Sequence, residues 1–408
     1  MKITGLITEY NPFHNGHQYH IEKAKELTKA DYAIAVMSGD FVQRGAPALL
    51  PKHLRAEMAL KAGADVVIEL PVFYACASAE FFAYGAVSLL HALHCVDSLC
   101  FGSECGNLSL LKKIANIMIE EPPAYQSILQ TYLRKGNPFP LARQKACADF
   151  TNDEQSASIL GQPNNILGIE YIKALLRLNS SIIPSTITRL GSGYHETDLH
   201  KQFSSASAIR REIFAGSDVQ TLANHVPDSV LHLLKENYQV RFPVNTDDFS
   251  LLLKYHLLCE TAETLTEYVD VSAELANRIM RCRNQFLSFE QFCQLLKTKE
   301  LTYSRISRAL LHIILQIKKE AFAQCSEHGP FYARILGFRK ESTNILSEIK
   351  KNADIPLLTK LTAQQQLSQL GQQQLQSDLF AADLYKSVLT EKFGTPFQNE
   401  YEQQIVRI

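Results

Sequence analysis

Apolar and polar positions change period along this chain. In the first half, β-favouring runs of about seven residues at 2–8 (KITGLIT), 31–38 (DYAIAVMS) and 65–71 (DVVIELP) alternate with 17–30 (HQYHIEKAKELTKA) and 51–64 (PKHLRAEMALKAGA), whose apolar residues recur at helical spacing. A further helical stretch at 78–93 (SAEFFAYGAVSLLHAL) leads into a fourth run at 96–102 (VDSLCFG), and 181–190 (SIIPSTITRL) supplies a fifth. Strands alternating with helices predict an α/β fold, a Rossmann-like, doubly wound parallel sheet of five strands occupying residues 1–215.

Between the fourth and fifth strands, residues 105–180 read as several helices broken at Pro122-Pro123, Gly136-Asn137-Pro138 and Gly161-Gln162-Pro163. That is a helical insertion beside the C-terminal edge of the sheet. Over 216–408 the strand signals fade and leucines fall at helical spacing, which predicts an α-helical second domain. The glutamine-rich tract from 363 (AQQQLSQLGQQQLQ) keeps that spacing and is expected to be a solvated amphipathic helix. Only 18 glycines and 15 prolines in 408 residues agree with long helices.

Apolar residues at 46% and charged residues at 20% describe a chain that can bury a large core rather than a disordered one. Nine cysteines, odd in number and without a C-x-x-C pair, signal neither a disulfide framework nor a zinc site, so no metal ligands are assigned. They suit reduced thiols in the cytoplasm. The opening residues lack the apolar stretch and small-residue cleavage site of a secretory signal, and the apolar stretch from Ala309 meets Lys318 and Lys319 too soon to span a bilayer. A soluble, cytoplasmic protein without a membrane partner is expected.

The candidate chemistry lies between the first strand and the first helix, in Thr8-Glu9-Tyr10-Asn11-Pro12-Phe13-His14-Asn15-Gly16-His17. Ligands of open α/β sheets bind at the C-terminal ends of strands, and a helix N-terminus offers free N–H groups to a phosphate. Gly16 allows close backbone approach, and His14 and His17 can present imidazoles to anionic oxygens. A P-loop lysine motif is absent from the sequence, so imidazoles and amides would hold the phosphate. The plainer reading makes the two histidines surface caps; two of them flanking Gly16 directly after the first strand favour the ligand reading.

These residues resemble a known group. His14-Asn15-Gly16-His17 is similar to the H-x-G-H motif of the HIGH-type nucleotidyltransferase superfamily, and Ser204-Ser205-Ala206-Ser207-Ala208-Ile209-Arg210 resembles its I-S-S-T-x-I-R signal, with Ser204, Ala206 and Ser207 as departures. Taken with SGDFVQRGAPA, Lys52, Arg55, GADVVIELP, FGSE, PNNILGIEY and TRLGSGYH, the first 210 residues or so resemble the bacterial tRNA(Met) cytidine acetate ligase family. The resemblance implies two steps. Acetate and ATP give acetyl-adenylate and pyrophosphate, and the acetyl group then passes to N4 of the wobble cytidine of elongator tRNA(Met).

The same resemblance implies an ATP site made of Ile7, Thr8, Glu9, Tyr10, Asn11, Pro12, Phe13, His14, Asn15, Gly16, His17, Gln18, Tyr19 and His20, together with Gly102, Asn165, Arg189 and Leu190, with magnesium accompanying the triphosphate. His14 and His17 would be catalytic, stabilising charge that develops on the α-phosphate and on departing pyrophosphate. Gly102 would leave room for adenosine, although it could be a plain turn residue, and either Asn164 or Asn165 could instead cap the helix that follows. Ser38, Asp40, Arg44, Lys52, Arg55, Ser207 and Arg210 are further candidates for phosphate or acetate, Asp40 also for magnesium.

Charge refines the picture. Forty-one Lys and Arg against 42 Asp and Glu leave a formal charge of -1, which hides a strong asymmetry. Residues 216–277 hold 3 basic and 10 acidic residues, whereas 278–351 hold 14 and 6. In the basic segment Arg305 and Arg308 are three apart with Tyr303 nearby, a candidate tRNA patch of two cations and a stacking ring. The acidic segment packing against the basic one would account for the same pattern. Two other functions remain open at this level: a small-molecule adenylyltransferase of coenzyme biosynthesis, and a non-catalytic nucleotide-sensing RNA-binding protein.

Overall fold

The computed structural model describes residues 1–189 and 204–408. Among the described residues ten strands occur in chain order: β1 Ile3–Thr8, β2 Tyr32–Ser38, β3 Phe41–Val42, β4 Ala46–Pro47, β5 Val66–Leu70, β6 Ser98–Ser103, β7 Ile183–Thr188, β8 Ala333–Phe338, β9 Leu357–Leu358 and β10 Val406–Arg407. The main sheet runs β10-β8-β5-β2-β1-β6-β7, with β9 also on β8, and β3 and β4 form a separate hairpin. All five strands expected from the sequence are present and mutually parallel where they pair. The order leaves β1 in one direction towards β2 and in the other towards β6, so the crevice above β1 and β6 is the topological switch point.

Buried strands expose alternate side chains to opposite layers. Ile34 and Val36 join one apolar cluster, while Ala33, Ala35 and Met37 join the other. Helices Asn15–Thr28, Lys52–Lys61 and Ala79–Ala92 fall where the sequence period places them. The insertion consists of the helices Leu108–Glu120, Pro123–Arg134, Phe139–Thr151, Glu154–Leu160 and Pro163–Arg177, and Pro123 and Pro163 each open a helix where the missing N–H costs nothing.

The second half departs from expectation. It is mostly helical, but β8 lies antiparallel on β5, and β9 and β10 pair parallel with β8, extending the sheet by three strands. Every residue of Ala333–Phe338 is buried, so the segment has no polar alternation and reads like a buried helical turn. One apolar cluster contains both Val66 and Ile68 of the sheet and Ile306, Leu310 and Tyr385 of the helical half, so the core continues across the boundary placed at 215. The glutamine-rich tract becomes a short 3-10 turn over Leu361–Gln366 and the helix Gln369–Phe393. That helix is less solvated than expected, because Leu375, Leu379, Ala382 and Tyr385 are buried. The Tyr385 hydroxyl donates to the Ala48 carbonyl at 2.8 Å, which ties the helix to the loop before Lys52–Lys61.

Candidate active site

The loop after β1 is shaped by two arginines. Arg55, fully buried, donates to the carbonyls of Glu9 (2.5 Å), Leu50 (3.1 Å), Ser38 (3.1 Å) and Gly39, and Arg210 donates to the carbonyl of Asn11 (2.7 Å) and the Ser207 hydroxyl (3.2 Å). The loop ends at His14, the N-cap of Asn15–Thr28. Its Nδ1 accepts the Gly16 N–H at 3.0 Å, and the His17 Nδ1 accepts the His14 N–H at 3.3 Å. The two rings stack with centroids 3.7 Å apart.

This capping box decides the protonation of both imidazoles. An Nδ1 that accepts a backbone N–H carries no proton, so each neutral ring keeps its proton on Nε2 as a donor. Burial lowers the pKa of His14 from 6.5 to about 3, with Arg189 and Arg210 adding to it; burial and then His14 and Arg189 hold His17 well below 6.5. The fold therefore presents two neutral Nε2–H donors to the cleft.

These residues border a cleft of about 590 Å3 at the switch point, continuous in its lining with a second of about 480 Å3. Ile7, Thr8, Glu9, Tyr10, Asn11 and His14 line the first, as do Gly16, His17, Tyr19 and His20. Gly102 and Arg189 close it above β6 and β7. A Cβ on Gly102 would stand 3.2 Å from the Arg189 Cγ, so a larger residue would press Arg189 into the space over β6. The His20 Nε2 is buried beside the cleft with no hydrogen-bond partner among the described residues, an unused polar atom suited to a bound polar ligand. Arg44 and Arg210 line both clefts, and Ser207, in the first turn of the helix Ala206–Phe214, lines the second.

Several expected contacts lie elsewhere. Phe13 is fully buried against Tyr10, Pro12 is buried beside it, and neither lines a cleft. Asn15 turns away, bonding the carbonyls of His225 and Asn224, and Gln18 bonds Glu22 on the exposed helix face. Asn165 is fully buried, its side chain accepting from the Cys105 N–H (3.1 Å) and donating to Gln162 (2.6 Å). Asn164 lines the cleft in its place. Neither caps the helix, which begins at Pro163; Glu104 accepts the N–H groups of Asn164 (3.1 Å) and Asn165 (2.8 Å) and also the Asn164 side-chain amide (2.7 Å). Leu190 lies outside the described residues.

Ser38, Asp40, Lys52 and Arg55 do not reach the main cleft. Lys52 is fully buried between Glu69 (2.7 Å) and Glu400 (2.9 Å), which Arg334 also pairs at 3.0 and 2.6 Å. Asp40 accepts the Lys52 backbone N–H at 2.7 Å and so caps Lys52–Lys61 instead of facing a metal. Glu9 is the one carboxylate among the described residues of the first cleft, and its Oε1 accepts the Gln43 N–H at 3.0 Å.

The expected tRNA patch divides. Arg305 is exposed, Tyr303 packs half-buried against the core, and Arg308 lines the cleft with its Nε 3.0 Å from Asp270. Lys318 pairs Glu267 at 2.8 Å, so two cations of the basic segment, Arg308 and Lys318, meet carboxylates of the acidic one. Residues that the sequence did not single out include Gln43, Ser304 and Tyr171 in the cleft and Glu104 behind Asn164.

A stacked imidazole pair at a helix N-terminus above the switch point of a parallel sheet, with arginines around it, defines a nucleotidyl-transfer site. Residues 1–400 match the model of the family described as HIGH Nucleotidyl Transferase. The tRNA(Met) cytidine acetate ligase of Thermoanaerobacter sp. (strain X514) is 45% identical over 387 residues, covering 94% of this chain and 95% of that one. The ligase of the same name from Clostridium perfringens is 43% identical over 370 residues, covering 89% and 90%. A crystal structure described as Thermotoga maritima TmcAL bound with alpha-thio ATP superposes over the full length of both chains at 34% identity and a TM-score of 0.92. The chain belongs to the tRNA(Met) cytidine acetate ligase family of HIGH nucleotidyl transferases.

Proposed function

We propose that this chain is an ATP-dependent ligase of tRNA(Met) that activates acetate as acetyl-adenylate and transfers the acetyl group to N4 of the wobble cytidine. The observation that carries the reading is the pair of neutral Nε2–H donors at the mouth of the Asn15–Thr28 helix, flanked by Arg189 and Arg210. In the first step an acetate oxygen attacks the α-phosphorus and the bond to the pyrophosphate oxygen breaks. The non-bridging oxygens gain charge, which preorganised donors stabilise without taking up a proton. In the second step cytidine N4 attacks the acetyl carbon, the bond to AMP breaks, and a proton leaves N4.

The chain's own groups divide this work. His14 and His17 would donate to the α-phosphate, Arg189, Arg210 and Arg44 would hold the triphosphate, and Gly102 with Asn164 would bound the adenosine. Magnesium would accompany the triphosphate and supply charge neutralisation, with Glu9, the carboxylate among the described residues of the main cleft, as its candidate protein ligand. Residues 1–215 would supply the nucleotide site, and the helical half would supply the tRNA contacts.

The test is acetate-dependent pyrophosphate release from ATP and magnesium, followed by addition of tRNA(Met) and assay for N4-acetylcytidine. Pyrophosphate release without acetylated tRNA would point to a small-molecule acceptor. No turnover under any carboxylate would return the chain to a nucleotide sensor.

A further inference from the structure

Arg308 was grouped with a tRNA-facing surface by sequence spacing, yet the fold turns it inwards. It sits on the helix Tyr303–Ile314, far along the chain from the nucleotide motifs, and lines the main cleft but not the second one. Its side chain keeps 12% of its surface exposed. Asp270 takes the Nε at 3.0 Å, and no acceptor among the described residues engages the two terminal nitrogens. A guanidinium anchored through Nε presents its other edge as a fixed fork, the geometry that matches a carboxylate.

The position of that fork is built with care for distance. The β3–β4 hairpin, which brings Gln43 and Arg44 to the cleft, abuts the same helix. The Ser307 hydroxyl donates to the Gly45 carbonyl at 2.7 Å, and a Cβ on Gly45, at φ +77°, would lie 2.3 Å from the Arg308 backbone nitrogen. Only glycine allows hairpin and helix to approach so closely. His312, one turn on, is fully buried with its ring nitrogens 3.0 Å from the main-chain carbonyls of Val269 and Cys76, and donating to either one holds the helix against its neighbours.

The groups assigned to the phosphates follow β1 and β7 and lie in Ala206–Phe214, joined by Arg44 from the hairpin that follows β2 and also carries Gln43. Arg308 arrives from the helical half next to this hairpin and, unlike Arg44, lines the main cleft alone; Ala79 and Phe82 give that cleft part of an apolar wall. A fixed cationic fork in a cleft with an apolar wall suits a carboxylate with a short apolar tail better than a polyphosphate.

We infer that Arg308, positioned by Asp270 and by the Gly45 contact, is the anchor for the carboxylate of acetate in the adenylation step. This rests on the acetate ligase reading above and deepens it by naming the acceptor side of the cleft. Arg308→Lys keeps the charge and loses the fork; it should raise the acetate KM in pyrophosphate release by about 10- to 100-fold, the worth of charge-assisted hydrogen bonds. Its affinity for a non-hydrolysable ATP analogue should be unchanged, and transfer to tRNA(Met) from supplied acetyl-adenylate should stay within a few-fold of the parent. Asp270→Asn, which retains the guanidinium, should move the acetate KM in the same direction by less, and carries the test if the lysine variant loses its melting transition. An unchanged acetate KM in both variants overturns the inference, and if only transfer to tRNA is then lost, Arg308 serves the cytidine instead. Failure of the acetate ligase reading shows separately, as a parent protein that releases no pyrophosphate with acetate.

Discussion

His14 and His17 act as hydrogen-bond donors because the backbone occupies their other nitrogen. With the His14 pKa near 3 and that of His17 also far below 6.5 in the fold, the unfolded chain takes up protons near pH 6.5 that the folded chain refuses. The pair therefore weakens stability progressively as pH falls below about 6.5 and has no such effect above it. In the nucleotide-free protein the imidazole NMR signals of both residues should remain those of neutral rings down to about pH 5. Replacing either by Ala should slow acetate-dependent pyrophosphate release by about 100- to 1,000-fold. The neighbouring asparagines separate binding from stability. Asn164→Ala should weaken ATP-analogue binding with little change in melting temperature. Asn165→Ala leaves the Cys105 N–H without its acceptor and should cost about 1–3 kcal/mol by denaturant titration, whatever its effect on nucleotide. The sequence singles out this dipeptide, but only the helix phase, set by Glu104, decides which amide lines the cleft.

Among elements, the helix Tyr303–Ile314 has three distinct faces. Its buried side joins the main core through Ile306, Leu310 and Ile313, Ser304 and Arg308 border the cleft, and Arg305 faces solvent. Arg305 and Arg308 should accordingly separate by assay. Arg305→Ala should weaken tRNA(Met) binding and reduce the slope of log affinity against log salt by about one, leaving acetate-dependent pyrophosphate release intact. Three-residue spacing predicted a shared surface because it counts only the angle around one helix. The neighbours decide the outcome, since Asp270 and the Gly45 turn claim the Arg308 side. The parallel strands, by contrast, were legible because each is a short apolar run bounded by turns, and their burial on both faces is what such runs mean.

Across the whole molecule, the C-terminal segment is fastened to the sheet through charge. Glu400, with a fully buried carboxylate, pairs Lys52, Arg334 and Lys386, and β10 follows it on the sheet edge. Burial would raise the Glu400 carboxyl, but Lys52, a hydrogen bond from His53, and Arg334 hold it well below the usual range. Glu400→Ala removes one of the two carboxylates that buried Lys52 and Arg334 share, leaving both on Glu69, and should destabilise the protein by about 3–5 kcal/mol, seen as a lower melting temperature. Because one core spans both halves, calorimetry should show a single unfolding transition, and two resolved transitions would restore the division at 215.

The sequence by itself determined the five parallel strands, the helices of the insertion, and the loop of His14 and His17, because those depend on local period, turn residues and chain order. It also carried the family resemblance, whose motifs sit in that loop and its partners. Tertiary structure alone decided that β8 and β10 complete the sheet, that Lys52 and Asp40 belong to a buried ion cluster, and that Arg308 enters the cleft. A charged side chain is drawn to whichever opposite charge or ligand the fold brings near it, and partners such as Glu400 for Lys52 are set hundreds of residues away along the chain.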